Sequence, residues 1–74
     1  METDVLSRFG DRLRAVRTRK KLSHERLAEI AGLHRTCTYV SLIERGERNI
    51  TLTTIEKLAK ALGVELPDLM PRGR

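Results

Sequence analysis

His34 and Cys37, three residues apart, are the nearest the sequence comes to a metal-ligand pair. Two ligands do not close a tetrahedral site, and the only other histidine, His24, falls in a different helical run, so no metal is expected. Glu44 and Arg45 set an acid beside a base, but one carboxylate without a nucleophile, metal set or Gly-rich phosphate loop makes no catalytic group. No enzymatic activity, cofactor or small-molecule substrate is expected. Cys37 is the one cysteine, which rules out an internal disulfide; it reads as a packing residue, with sensitivity to oxidation as the alternative. What remains is non-covalent chemistry. Fifteen Lys and Arg against ten Asp and Glu leave a net charge of +5, which favours a polyanionic partner and places nucleic acid ahead of acidic proteins or anionic membranes.

The elements that must position these charges are helices. At 74 residues the chain suits one compact domain spanning 1–74, structured over about 5–70 with a frayed tail. Its apolar residues are aliphatic, with one Phe, one Tyr and no Trp, a core that suits packed helices. No apolar stretch approaches the roughly 20 residues of a membrane span or resembles a secretory segment, so a cytoplasmic, nucleoid-associated protein is expected. Leu6, Phe9, Leu13 and Val16 recur at helical spacing within 5–21. The arginines and lysines around them either match the helix dipole in a solvated face or contact phosphates. Ser23 is a candidate N-cap for a second helix carrying Leu27, Ala28, Ile30 and Ala31, and Gly32 ends it with Leu33 folding back. Val40 and Ile43 define a third helix from Thr38 to Arg45, stopped by Gly46. After a loop, Thr51 caps a fourth helix whose core face is Leu52, Ile55, Leu58, Ala59 and Leu62, closed by Gly63. A short fifth helix has Pro67 at its first position.

Two short helices joined at Ala31-Gly32-Leu33, the second opening on polar and basic residues, are what a helix-turn-helix requires. The chain resembles the phage-repressor-like helix-turn-helix regulators from about Phe9 to Met70. The residues that carry the resemblance are Leu22-Ser23, Leu27-Ala28, Ala31-Gly32-Leu33, Tyr39-Val40-Ser41-Leu42-Ile43-Glu44-Arg45-Gly46 and Leu58-Ala59-Lys60-Ala61-Leu62-Gly63-Val64. Within that family, His34-Arg35-Thr36 and the run from Tyr39 to Ile50 look most like restriction–modification controller proteins. The resemblance implies an all-α, five-helix DNA-binding domain, a homodimer formed through its C-terminal helices, and a third helix reading the major groove of a palindromic operator in double-stranded DNA.

Physical chemistry gives those positions sensible roles. Arg35 suits a bidentate pair with guanine, and Thr36, Thr38 and Ser41 suit bonds to bases or phosphates, with Tyr39 lying across the backbone. Arg45, Arg48 and Asn49 fall where this family meets phosphates. Ser23 and His24 stand where the family usually has a serine and a glutamine; a histidine also donates to phosphate, more strongly when charged below about pH 6.5. Glu44 reads as a structural ion-pair or loop-capping partner, and Leu42 as an exposed apolar residue or a thymine-methyl contact. Leu66, Leu69 and Met70 either cap the core or supply the dimer surface.

One departure bears on these roles: two extra residues stand before Tyr39, either Cys37-Thr38 or Thr36-Cys37. Inside a helix they would rotate the residues on their N-terminal side by about 200° relative to those on their C-terminal side. A longer turn, with Thr36 or Thr38 as N-cap, keeps Val40 and Ile43 buried and is the preferred reading. Rival functions are an antitoxin or phage-type repressor, and a protein-interaction module whose altered turn has lost specific reading and binds DNA only through charge.

Overall fold

The computed structural model describes residues 2–33 and 37–70, with side chains over 5–33 and 39–70. Five helices account for the regular structure of the described residues: α1 (Glu2–Arg19), α2 (His24–Ile30), α3 (Cys37–Glu44), α4 (Leu52–Leu62) and α5 (Leu66–Leu69). This is the all-α architecture expected from periodicity, with α1 opening three residues earlier than the apolar pattern indicates. Pro67, expected at the first position of α5, lies second. Either place is in the first turn, where a missing N–H costs no helical bond.

Sharp helix ends compress these elements into a small volume. After each of the first four helices, one residue turns left-handed and paired backbone bonds close the last turn. At the end of α2, Leu33 N donates to Ala28 O at 3.0 Å and Gly32 N to Glu29 O at 3.2 Å; Gly46 and Gly63 terminate α3 and α4 in the same way. The end of α1 differs in one respect. There the left-handed position is Lys21, at φ 60°, with Leu22 N bonded to Arg17 O and Lys21 N to Thr18 O, so a residue with a Cβ takes a conformation that favours glycine.

The starts are capped by side chains. Ser23 Oγ accepts from Arg26 N at 3.0 Å and Thr51 Oγ1 from Thr54 N at 3.2 Å, each satisfying a donor that has no intrahelical partner. Asp68 Oδ2 accepts from Glu65 N at 3.0 Å, tying the single turn of α5 to its entry.

The stripes named from spacing meet in one core. Phe9, Leu13 and Val16 of α1, Leu27 and Ala28 of α2, Val40 and Ile43 of α3, Ile55, Leu58, Ala59 and Leu62 of α4, and Leu69 of α5 are all buried. Fully enclosing each larger aliphatic side chain contributes about 1.5–3 kcal/mol. Three expected core residues are not in it, and of these Leu6 is half-buried at the N-terminal end of the α1 stripe. Leu52 is 69% exposed and Ile30 is also exposed. Leu52 shares the angle of the α4 stripe but sits at the helix tip, a turn ahead of Ile55, and angle alone does not supply a neighbour there.

Gly10 sets how closely α1 and α3 approach. A Cβ there would overlap the Glu44 carbonyl oxygen and lie 2.7 Å from Ile43 O, so α1 lies directly on the last backbone groups of α3 at this point.

Candidate nucleic-acid interface

Ala31, Gly32 and Leu33 form the first part of the turn between α2 and α3, and α3 is already helical at Cys37. Thr38 therefore lies inside α3, so the expectation that the helix starts there, with Thr38 as a possible N-cap, is corrected. Arg35 and Thr36 lie outside the described residues, as does His34. Cys37 and Thr38, one choice of the two extra residues, thus extend α3 and not the turn, while Val40 and Ile43 are fully buried.

The far end of α3 is held by a buried charge. The Glu44 side chain is 1% exposed, and Arg17 from α1 grips both its oxygens, with Nε to Oε2 at 2.5 Å and Nη2 to Oε1 at 3.2 Å. The same guanidinium donates through Nη1 to Leu22 O at 2.6 Å. His24, the first residue of α2, brings Nε2 to Oε1 at 3.0 Å. Arg14 stands 3.5 Å from that oxygen with its side chain 57% exposed. One carboxylate thus joins α1, α2 and α3. Burial alone would raise the Glu44 pKa, but hydrogen bonds from Arg17 and His24, and their charges, hold the carboxyl below its ordinary value.

This arrangement assigns Glu44 the ion-pair role expected of it and revises two others. Arg17, placed with the solvated or phosphate-facing arginines, turns inward and is only 12% exposed. His24 spends Nε2 on Glu44, and an ionised carboxylate requires that nitrogen to donate. Only Nδ1 is left to meet a phosphate, and it donates only when the ring is charged. Ser23 is committed to its N-cap bond.

On the other side of α3, Tyr39 is half-buried against the core, and the Arg48 guanidinium carbon lies 5.9 Å from its ring centroid. This cation–π contact ties the loop after α3 to the start of the helix. Arg45 is exposed, with Glu47 at 3.5 Å, and Asn49 is exposed while Ser41 and Leu42 are half-buried. Tyr39, Arg45 and Arg48 are thus gathered on α3 and its exit loop. Glu44 is the one buried carboxylate among the described residues, and its charge is already matched by Arg17.

Towards the C-terminus, Leu69 is fully buried in the chain's own core. Its side chain caps the core, the other role open to it, and is not exposed on the surface of the chain. Leu66 is exposed and Met70 half-buried. Arg12 Nε donates to Asp68 O at 2.6 Å, which fixes α5 against α1.

Arg14, Arg17 and Gly10 are the residues that spacing did not single out. Arg17 and Glu44 are 27 positions apart, so no local pattern links them. A glycine inside a strongly periodic helix was the available signal for Gly10, since it costs helix stability unless something packs there. Among the described residues no group of acidic, His and Cys side chains could hold a metal, and no helix is long and apolar enough to cross a membrane.

The short α2–turn–α3 unit, backed by a shared aliphatic core and fronted by cationic side chains, defines a DNA-binding helix-turn-helix domain. The chain belongs to the helix-turn-helix family of DNA-binding transcriptional regulators, whose profile matches residues 13–69. It is similar to the control protein C.SmaI of Serratia marcescens, 46% identical over 69 residues that cover 93% of this chain and 80% of the relative. It is equally similar to the control protein C.BamHI of Bacillus amyloliquefaciens, 46% identical over 71 residues covering 95% and 85%. Among solved structures it superposes on the restriction–modification controller protein C.AhdI from Aeromonas hydrophila. That match has a TM-score of 0.86 and 47% identity, covering 92% of this chain and 96% of the other.

Proposed function

We propose that the protein is a homodimeric, sequence-specific regulator that binds a palindromic operator and controls a restriction–modification operon together with its own gene. The observation that carries this reading is the fixed seating of α3. Glu44 secures its C-terminal end to α1 and α2, and Tyr39 near its start is pinned to the core and to Arg48. A helix held at both ends can present Ser41, and the residues before it, to base edges in a defined register. Arg45, Arg48 and Asn49 then supply the phosphate contacts that set its orientation. The likeness to proteins named as restriction–modification controllers supports the regulatory context.

In this reading α5 supplies the pairing surface through Leu66 and Met70, while Leu69 anchors that surface to the core. Two copies related by a two-fold axis place their α3 helices about 34 Å apart on one face of the duplex. The test is footprinting on DNA upstream of the protein's own gene and of any adjacent restriction gene. The expected result is paired protections about one helical turn apart, weakened by Arg45→Ala and Arg48→Ala. Absence of protection at concentrations that saturate non-specific duplex would overturn it.

A further inference from the structure

Charge around Glu44 does not balance. Arg17 satisfies both carboxylate oxygens from the buried side, and His24 adds a third donor to Oε1. Arg14 approaches the same oxygen only through Nε, at 3.5 Å, beyond good hydrogen-bonding distance, and its side chain stays largely in solvent. Among the described residues it makes no other pair. Its two terminal nitrogens, with the four N–H donors they carry, are therefore uncommitted. The buried carboxylate has one negative charge and two arginines beside it, so the surplus positive charge comes to the surface at Arg14. That surplus stands where α1 meets the start of α2 and the end of α3, since Glu44 joins all three.

From this arrangement we infer that Arg14 is a DNA phosphate contact on α1, extending the interface beyond α3 and its exit loop. The inference rests on the DNA-binding reading above. Arg14 keeps its Nε toward Glu44 at 3.5 Å and leaves its terminal nitrogens to meet a backbone phosphate oxygen. A phosphate bonded there is linked to the carboxylate that holds α3, so contact on α1 favours the seated recognition helix. A phosphate contact carries no base preference, so its effect should be the same on every duplex.

The experiment measures duplex affinity across a salt series at pH 7.5, on an operator and on a scrambled duplex, for the wild type, Arg14→Gln and Arg14→Lys. Loss of one phosphate contact should shrink the slope of log K against log salt by about 0.9 and weaken both duplexes by a similar factor of about five to ten near 0.1 M salt. Arg14→Lys, which keeps the charge, should restore most of the slope, and the thermal midpoint of Arg14→Gln should match the wild type. An unchanged slope in Arg14→Gln, or a loss confined to the operator, would overturn the inference while leaving DNA binding intact. So would a loss that Arg14→Lys shares in full alongside a lowered thermal midpoint, because the role would then be structural. A wild type without salt-dependent duplex binding would overturn the DNA-binding reading itself and this inference with it.

Discussion

At the scale of single residues, the chain places one charge out of water and surrounds it with donors. Glu44 accepts from Arg17 and His24 inside the angle between three helices, and removing one partner of such a pair leaves the other buried without compensation. Glu44→Gln is expected to destabilise the fold by about 3 kcal/mol in urea unfolding, much of it from the orphaned Arg17. The same contacts set the pH dependence. Because folding lowers the Glu44 pKa, its stabilisation is complete above the unfolded value of about 4.3 and is lost as the pH falls through the lower folded value. Thermal midpoints should therefore drop on acidification below that range, and the drop should be smaller in Glu44→Gln. Little of this cluster was legible in the sequence. The family resemblance gave Glu44 an ion-pair role, but its partner Arg17 looked like any other arginine on a cationic helix, and a contact spanning 27 positions has no periodic signature. His24 was read as facing DNA, whereas its Nε2 faces the protein.

At the scale of elements, local chemistry settles most of the outcome. Ser23 and Thr51 cap the helices assigned to them, and Gly32, Gly46 and Gly63 end the helices before them, because each choice depends on backbone donors and acceptors a few residues away. Lys21 is the exception, since nothing in its side chain announces a left-handed residue. Its ordinary Cβ makes Lys21→Gly an expected stabilisation of about 0.5–1 kcal/mol, as relief of the left-handed strain exceeds the entropy lost by glycine; thermal unfolding would check it. Gly10 responds in the opposite sense. Alanine is the better helix former, yet a methyl there collides with the backbone of α3, so Gly10→Ala should cost about 2–3 kcal/mol by the same measurement. The start of α3 was less legible, because the two additional residues before Tyr39 admit more than one cap, and Thr38 proves to be helical.

At the scale of the whole molecule, all five helices share one apolar core, which holds α3 in place and leaves Leu66 of α5 exposed. The core was readable as helical stripes, and that reading failed at the outer ends of stripes, at Leu6 and Leu52, and at the surface residue Ile30. Leu69 shows the converse limit: a short apolar tail looks the same in sequence whether it fills a monomer or joins two. The proposed pairing makes these residues separable. Leu66→Asp should yield a folded monomer in sedimentation equilibrium, whereas Leu69→Ala should lower monomer stability by about 2–5 kcal/mol. A dimer unaffected by Leu66→Asp would place pairing elsewhere.

Selection of bound sites from a randomised duplex pool at near-physiological salt tests whether a two-fold pair of α3 helices reads the groove specifically, as proposed. The expected result is an enriched palindrome with half-sites about 10 base pairs apart. Binding at low salt that enriches no sequence would contradict it, for then only the electrostatic attraction of the cationic surface is at work.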